Sequence, residues 1–329
     1  MDFERGIHLT SSQSLHLKVL RAVAEQVQDT PYVLKGGSAL ILTRQMERYT
    51  TDIDFDSARK VNLAGRIENA LKAINGVELQ SLKLVKDTDT VQRYKIHYLH
   101  QSSGQDILLK VETSFREQPK PKAIETIAGI KTYRIAYLLE QKLLAAQNRI
   151  AARDLFDIAF LIERFGSQLR NDQIESVRQF TADPDRLVEQ YRLSFQAEAI
   201  LSSLTTIEDT VIALQLGIEK LKREQEAKQL AIAAYGLLEL IGDKLPDGSR
   251  ALAGQQLRLL WQNEVLTIAS KQDNREILKV VVGRSIEFDP LPQDQEVLQR
   301  IPKHFARVQQ QIQQQQNSQQ NQQRRGPRL

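Results

Sequence analysis

Two aspartates separated by one residue form the first chemically suggestive feature of the sequence. Asp52 and Asp54 lie in the run TDIDF, which alternates polar and apolar residues as a half-buried strand does. Side chains at i and i+2 of a strand lie on the same face, so both carboxylates can reach one metal pair while Ile53 points to the core. The run LLKVETSF offers Glu112 as a third metal ligand if its strand lies beside TDIDF. Carboxylate oxygens suit Mg²⁺ or Mn²⁺.

A glycine-rich turn precedes this acidic pair. Gly36 and Gly37 allow the backbone to approach a phosphate closely, and the helix that follows adds free N–H donors and the positive end of its dipole. Ser38 could bond the β- or γ-phosphate or serve as the N-cap of the helix. Alone, such a turn or such an acidic pair is often purely structural, but together and in this order they indicate a site for a metal-bound triphosphate.

A third group of charged residues lies between positions 132 and 165, a segment without proline or glycine that predicts a helix. On one continuous helix, at about 100° per residue, Lys142, Arg149 and Arg153 share a face and Asp157 lies beside it. Such a basic face opposite the carboxylates could neutralise a triphosphate. The alternative is a solvated face with internal Arg–Asp pairs, and a kink near 149–152 would break the alignment.

The three groups together point to transfer of a nucleotidyl group. That reaction needs two divalent ions about 4 Å apart, which bind the triphosphate and activate the attacking hydroxyl. The acids would bind the ions, the turn would hold the phosphates, and the basic face would offset the remaining charge. The expected ligands are therefore Mg²⁺ or Mn²⁺ and an NTP.

The elements that must position these residues follow an α+β pattern. Helices are predicted at 13–28, 39–46 and 63–74, and strands at 77–85, 91–99 and 106–115. After Pro121 the pattern becomes helical, and short strands are predicted again at 256–261, 265–270 and 276–282. We expect a mixed sheet with packed helices, then a helical region and a small accessory α+β unit.

This pattern divides the chain into four segments. Residues 1–125 form the core that carries the acids, and residues 126–230 form a helical domain that completes the site. Residues 231–300 form the accessory unit. Residues 301–329 are dominated by glutamine, a composition that cannot bury a core and predicts disorder.

Composition excludes several classes of protein. Without cysteine, the chain has no disulfides, thiolate metal sites or cysteine nucleophiles. It contains no apolar run of about 20 residues, and its start lacks a signal-peptide core, so we expect a cytoplasmic protein without a membrane partner. The formal net charge is +4, but five cations and no acids lie beyond residue 300. The rest of the chain is nearly neutral, so bulk charge does not predict nucleic-acid binding.

The runs LKGGSAL, RYTTDIDF and KLLAAQNRIAARDLFDI jointly resemble the AbiEii/AbiGii family of nucleotidyltransferase toxins, which have a polymerase-beta-like core. The resemblance covers roughly residues 15–165. The family pattern is a Gly-Gly-Ser/Thr turn, then Arg-x-Ser/Thr-x-Asp-h-Asp with h apolar, then Lys…Arg…Arg-Asp-x-x-Asp. The matching positions are Gly36, Gly37, Ser38, Arg48, Thr50, Asp52, Asp54, Lys142, Arg149, Arg153, Asp154 and Asp157.

The resemblance implies the toxin of a type IV toxin–antitoxin or abortive-infection system, which moves a nucleotide from an NTP to RNA, notably the 3′ end of tRNA. By the same resemblance Asp52 and Asp54 bind Mg²⁺, Lys142 contacts the triphosphate and Asp157 is a further active-site acid. The expected nucleotide-binding residues are Gly36, Gly37, Ser38, Arg48, Arg149 and Arg153. A cognate antitoxin encoded nearby is the expected protein partner.

Two other functions stay open on the sequence. The same fold could move a nucleotide onto a protein or a small molecule such as an aminoglycoside, although such enzymes usually lack the RDxxD helix. The chain could also be a non-catalytic NTP-binding module. The sequence does not identify the base of the NTP or the acceptor.

Overall fold

The computed structural model describes residues 9–324, and side chains as far as residue 318. It divides into two compact units, Met1–Ile218 and Glu219–Leu329, and the boundary falls inside one long helix. Because no turn or change of composition marks residue 218, this boundary has no signal in the sequence. The division into four segments remains a prediction.

A seven-stranded mixed sheet is the framework of the first unit. Its strands lie in the order β3-β4-β5-β2-β1-β7-β6. The pairs β2–β5 and β1–β7 are parallel, and the other neighbouring pairs are antiparallel. The expected α+β fold with a mixed sheet is confirmed. The strands are β1 (Val33–Lys35), β2 (Asp52–Asp56), β3 (Val77–Asp87), β4 (Val91–His100), β5 (Gln105–Ser114), β6 (Ile124–Ile127) and β7 (Ile130–Tyr133).

Side-chain alternation explains why one face of this sheet is covered. In β4, Tyr94, Ile96 and Tyr98 are buried, whereas Arg93 and Lys95 point away from the core. This period of two is that of a sheet with one packed face and one polar face. The helices of the unit are α1 (Ser11–Gln26), α2 (Gly36–Arg44), α3 (Ala64–Lys72), α4 (Ile135–Asn148), α5 (Ala152–Phe165), α6 (Asn171–Phe180), α7 (Pro184–Ala197) and α8 (Ala199–Leu204), followed by α9 (Ile207–Ile241), which continues into the second unit.

The continuous helix predicted between residues 132 and 165 is wrong. Helix α4 ends at Asn148, α5 begins at Ala152, and Arg149 between them is extended. The broken helical hydrogen bonds are replaced by side chains of α7: the Tyr191 hydroxyl donates to the Ala146 carbonyl at 3.0 Å, and the Ala152 N–H donates to Ser194 Oγ at 2.8 Å. Tertiary partners therefore stabilise a break that neither proline nor glycine marks.

The sequence pattern also predicts a helical segment after Pro121, but the segment begins with the hairpin of β6 and β7. Ala128 and Gly129 form its turn, with φ angles of 47° and 80°. Positive φ at both central residues is the geometry of a tight hairpin turn, which glycine favours at the second position. Gly129 was the only local signal of this hairpin.

The second unit contains a six-stranded antiparallel meander in the order β13-β12-β11-β10-β9-β8. The three strands predicted here correspond to β10, β11 and β12, and the structure adds strands at both edges. Helix α10 (Gln295–Leu298) follows the meander. The strands are β8 (Asp243–Lys244), β9 (Arg250–Ala253), β10 (Leu257–Gln262), β11 (Val265–Ser270), β12 (Glu276–Val281) and β13 (Ser285–Phe288).

The glutamine-rich composition predicts disorder from residue 301, but helix α11 (Arg300–Arg324) occupies most of that segment. Ile301, Phe305, Val308 and Ile312 recur at helical spacing and pack on the core of the second unit. Four apolar side chains on one stripe are thus enough to dock the start of a glutamine-rich helix. Residues 325–329 lie outside the described residues. In the described part of the chain, no helix is long and apolar enough to cross a membrane.

Candidate active site

The three candidate metal ligands lie on adjacent strands. Strands β2 and β5 are parallel neighbours, and their register places Asp54 directly opposite Glu112 and Asp52 opposite Lys110. The adjacency on which the choice of Glu112 depended is therefore present. Paired strands lie about 4.8 Å apart, so all three carboxylates start from a small patch of the sheet.

The electrostatics of Asp54 show how closely the acids approach one another. Burial raises the pKa of the Asp54 carboxyl, and the negative charges of Asp52 and Glu112 raise it further. Lys35 and Lys142 act in the opposite direction and lower it. Ionised Asp54 is thus held in a buried and electronegative position, which a divalent cation would stabilise.

Cationic side chains neutralise the other two acids. Lys110 Nζ lies 3.0 Å from Asp52 Oδ2, and Arg93 Nε donates to Glu112 Oε2 at 2.6 Å. In this arrangement, no three histidine, cysteine or acidic side chains of the described residues converge into a coordination cluster. The donor set still fits Mg²⁺ or Mn²⁺ by its chemistry, because it consists only of carboxylate oxygens on neighbouring strands.

The glycine turn lies directly against these acids. Lys35 ends β1 opposite Asp54, and α2 begins at Gly36, whose φ is +67°. A Cβ atom at Gly36 would lie 3.4 Å from Asp54 Oδ2. The first N–H groups of α2, which have no partner within the helix, thus start beside the carboxylate that would hold the metal. This is the geometry that binds phosphate at a helix N-terminus.

Ser38 fixes the turn to β2. Its side chain is buried, and its hydroxyl donates to the Lys35 carbonyl at 3.1 Å and accepts the Asp54 N–H at 3.4 Å. The alternative role of Ser38 as N-cap is wrong, because the N-cap position belongs to Lys35. A contact between Ser38 and a phosphate remains a prediction.

Charged side chains from the segment before β2, from α4, and from α5 and the connection that precedes it form a buried ion-pair network. Arg48 Nε lies 2.7 Å from Asp157 Oδ1 and Arg48 Nη2 lies 2.9 Å from Asp157 Oδ2. Lys142 Nζ bridges Asp157 Oδ2 at 2.6 Å and Asp154 Oδ1 at 3.0 Å. Arg149 Nε reaches Asp154 Oδ2 at 2.8 Å from the solvent side. Five charged side chains are thus linked into one continuous chain.

Burial and charge oppose each other at the two aspartates of this network. Burial alone would raise the pKa of Asp157, but Arg48 and Lys142 outweigh it and hold the pKa below its ordinary value. Burial acts likewise on Asp154, where Arg149 and Lys142 also lower the pKa. Both aspartates are therefore ionised, and their role in the resting structure is to anchor cations.

Arg48 also explains the second glycine of the turn. A Cβ atom at Gly37 would lie only 1.9 Å from Arg48 Nη2. The guanidinium therefore occupies the space that a side chain at this position would need. Gly37, Arg48 and Asp157 form a line of contact from the turn to α5, which couples the backbone of the turn to the buried network.

The predicted basic residues separate into different environments. Lys142 is buried between two aspartates, and Arg149 is 65% exposed while its pKa is raised, first by the hydrogen bond to Asp154 and also by the charge of Asp54. Arg153 pairs with Glu198 at 2.9 Å. Their alignment on one helix face is wrong, because Lys142 lies on α4, Arg153 lies on α5, and Arg149 lies in the extended connection between them. Their contacts with a nucleotide remain predictions.

Three cations of the site were not singled out from the sequence. Lys35 pairs with Asp56 at 2.5 Å and lowers the pKa of Asp54, while Arg93 and Lys110 neutralise the acids of β5 and β2. One signal was available for Lys110, which lies two residues before Glu112 and so shares its face. The other two depend on strand pairing, which local sequence does not reveal.

Comparisons with known proteins agree with this geometry. The family model of the nucleotidyl transferase AbiEii toxin, type IV toxin–antitoxin system, matches residues 18–234. A solved structure of a Helicobacter pylori protein assigned as a nucleotidyltransferase is 33% identical, covering 66% of this chain and 98% of that chain, with a TM-score of 0.62. The solved structure of JHP933 from Helicobacter pylori is 32% identical, covering 69% of this chain and 99% of that chain, with a TM-score of 0.64.

A comparison with curated proteins gives no match. The family match spans the turn, the acidic pair and the buried network, and it extends over more than half of the chain. On these grounds the chain is a nucleotidyltransferase and belongs to the AbiEii family of type IV toxins.

Proposed function

We propose that this nucleotidyltransferase moves a nucleoside monophosphate from an NTP to RNA, with the 3′ end of tRNA as acceptor, in a reaction that depends on Mg²⁺. The observation that carries the proposal is the placement of Asp52, Asp54 and Glu112 on adjacent strands beside the N-terminus of α2. RNA as the acceptor is supported by the family to which the chain belongs.

In this mechanism the acceptor hydroxyl attacks the α-phosphorus of the NTP, a new P–O bond forms, and the bond to pyrophosphate breaks. Asp52, Asp54 and Glu112 would hold divalent cations, which supply activation of the hydroxyl and neutralisation of phosphate charge. The hydroxyl proton passes to a site carboxylate or to solvent, and pyrophosphate leaves.

The chain's own residues position the triphosphate. The free N–H groups at the start of α2 donate to phosphate oxygens. Gly36 and Gly37 have no side chains, so the phosphate can come close to the backbone. Arg149, whose side chain is 65% exposed while its Nε and Nη2 donate to Asp154, is placed to pair with a phosphate. The buried Arg48–Asp157 pair holds the turn and α5 in fixed relation.

The type IV family also implies an antitoxin partner, and we propose that this protein is the toxin of such a pair, acting in the cytoplasm. Co-expression with the neighbouring gene should relieve growth arrest caused by the wild-type protein. Growth arrest that persists with every neighbouring gene would contradict the pairing.

The test of the activity is transfer of label from each of the four α-³²P-labelled NTPs to total tRNA. We expect labelled RNA in the presence of Mg²⁺ or Mn²⁺, and none after chelation with EDTA. The Asp54→Asn variant should lose transfer, whereas Asp89→Asn, which removes an exposed acid of the β3–β4 turn, should keep it.

Other outcomes separate the alternative functions. Label in protein or in a small molecule, with none in RNA, would replace the RNA acceptor. Binding of Mg²⁺–NTP without transfer to any acceptor would support a binding module and contradict the proposed enzyme activity.

A further inference from the structure

The solvent face of β3, β4 and β5 carries a row of cations in register. Lys83 of β3 lies directly opposite Lys95 of β4, and Lys95 lies opposite Lys110 of β5. Lys110 in turn lies opposite Asp52 of β2. At about 4.8 Å per strand, the row extends about 14 Å from the candidate metal site to the edge of the sheet.

A second row runs beside the first. Lys86 of β3 lies opposite Arg93 of β4, Arg93 lies opposite Glu112 of β5, and Glu112 lies opposite Asp54. Both rows point away from the core, because the alternating residues Tyr94 and Ile96 of β4 are buried. Two parallel rows of cations thus lead to the two acids of the predicted metal site.

The charge of this face changes along the strands. The row at the opposite end of these three strands consists of Glu78, Leu99 and Asp106, and it contains no cation. The row between carries Ser81, His97 and Leu108. Positive charge is therefore concentrated on the two rows that end at the acids. This is a local concentration that the net charge of the chain conceals.

Most of this charge is not neutralised by the protein. Arg93 and Lys110 pair with Glu112 and Asp52. For Lys83, Lys86 and Lys95, by contrast, the described residues provide no ion-pair partner. Like charges directly opposite each other destabilise a sheet, so this arrangement has a cost in the isolated protein. Binding of a polyanion across the strands would offset that cost.

We propose that Lys83, Lys86 and Lys95, hereafter the lysine face, bind the phosphate backbone of the RNA acceptor and direct its 3′ end toward Asp52 and Asp54. This inference rests on the proposed function and adds the surface that holds the acceptor. Charge complementarity selects a polyanion, and the position of the rows selects the acceptor strand, because the attacking hydroxyl must reach the acids at their end. An acidic protein segment is the competing occupant.

The test compares two matched triple variants of the full-length protein. K83Q/K86Q/K95Q removes the lysine face and leaves every proposed metal ligand and its paired cation intact. K18Q/K120Q/K122Q removes three exposed lysines elsewhere in the first unit, on α1 and beside β6 at the opposite edge of the sheet. Thermal melts check that both variants fold, and Mg²⁺–NTP binding checks that the nucleotide site is intact.

Total tRNA is the probe, measured by filter binding across a range of salt concentrations and by NMP transfer. Each phosphate contact contributes about 0.7 to 0.9 to the slope of log K against log salt, so loss of three contacts should flatten the slope by about 2 to 3. We expect KM for tRNA to rise roughly ten-fold or more in the lysine-face variant, with kcat and NTP binding close to wild type. The control variant should behave as wild type.

The outcomes separate this inference from the proposed function. Wild-type transfer to RNA with equal KM and salt slope in both variants would overturn the lysine face and leave the activity standing. Label in protein instead of RNA would overturn the RNA acceptor and the lysine face together. If the lysine-face variant kept tRNA binding but lost binding of an acidic protein partner, the face would be assigned to that partner.

Discussion

Replacing Asp157 by asparagine should lower the free energy of unfolding of the first unit by about 3–5 kcal/mol, the usual cost of removing one partner from a buried ion pair. Asp157 is fully buried and accepts Arg48 at 2.7 and 2.9 Å and Lys142 at 2.6 Å. In the variant Lys142 keeps Asp154 at 3.0 Å. Arg48, only 4% exposed, has no other carboxylate partner among the described residues, so its charge accounts for most of the loss.

Urea unfolding followed by a probe in the first unit measures this loss, and the corresponding shift in Tm is on the order of 10 °C for a unit of this size. The matched control is Asp172→Asn, which breaks the surface pair of Asp172 with Arg170, where both side chains are largely exposed. Screening by solvent makes such pairs weak, so this variant should stay close to wild type. A loss in Asp157→Asn no larger than that in the control would refute the argument that the network is coupled.

The same pair has a defined pH dependence. Because Arg48 and Lys142 hold the pKa of Asp157 below its ordinary value, the stabilisation is fully present above the unfolded pKa of about 4. It is lost as pH falls through the lower folded pKa, because the unfolded state binds the proton first. The difference in unfolding free energy between wild type and Asp157→Asn should therefore shrink on acidification below about pH 4. A difference that stayed constant to pH 2 would contradict this assignment.

Three further outcomes are expected. Gly37→Ala should destabilise the first unit by about 1–3 kcal/mol in the same unfolding assay, because its Cβ would lie 1.9 Å from Arg48 Nη2. The control is Gly65→Ala, because no atom lies within 4 Å of a Cβ at that position. Asp54→Asn should abolish transfer. Because burial raises the pKa of Asp54 in the metal-free protein, protons should compete with Mg²⁺, and the Mg²⁺ concentration needed for half-maximal transfer should rise as pH falls; a Mg²⁺ requirement independent of pH would oppose it. Burial lowers the pKa of His16 to about 4, so stability should fall by roughly 3 kcal/mol as pH drops from 6.5 to 4, and His16→Gln should remove this dependence in acid unfolding curves.

The acidic site shows how far local sequence reaches. Alternation with a period of two placed Asp52 and Asp54 on one strand face, and Glu112 was the acid offered by a strand expected to lie beside theirs. Whether those strands are neighbours is a question of topology, and β2 and β5 are separated in the chain by α3, β3 and β4. From the sequence, the adjacency of these two strands was only a condition for the third metal ligand. The pairing of the strands in the sheet meets that condition.

Arg149 lies at a helix break that the local sequence does not predict. The run from 132 to 165 contains no helix breaker, so periodicity alone supports one continuous helix. The chain breaks there because Tyr191 and Ser194, some forty residues further along, satisfy backbone groups that the helix would otherwise satisfy itself. Long-range hydrogen bonds of this kind leave no trace in the segment whose conformation they decide.

By itself the sequence determined the family, the acidic pair and the glycine turn, because these depend on residue type and short spacing. Tertiary structure decided that Lys142 is a buried bridge between aspartates and that Arg153 pairs with Glu198 instead of sharing a face with Lys142. It also decided that lysines of three strands lie in register beside the acids. The reason is physical: a charged side chain pairs with the opposite charge that the fold brings within a few ångströms. That distance is set by packing between elements far apart in the chain.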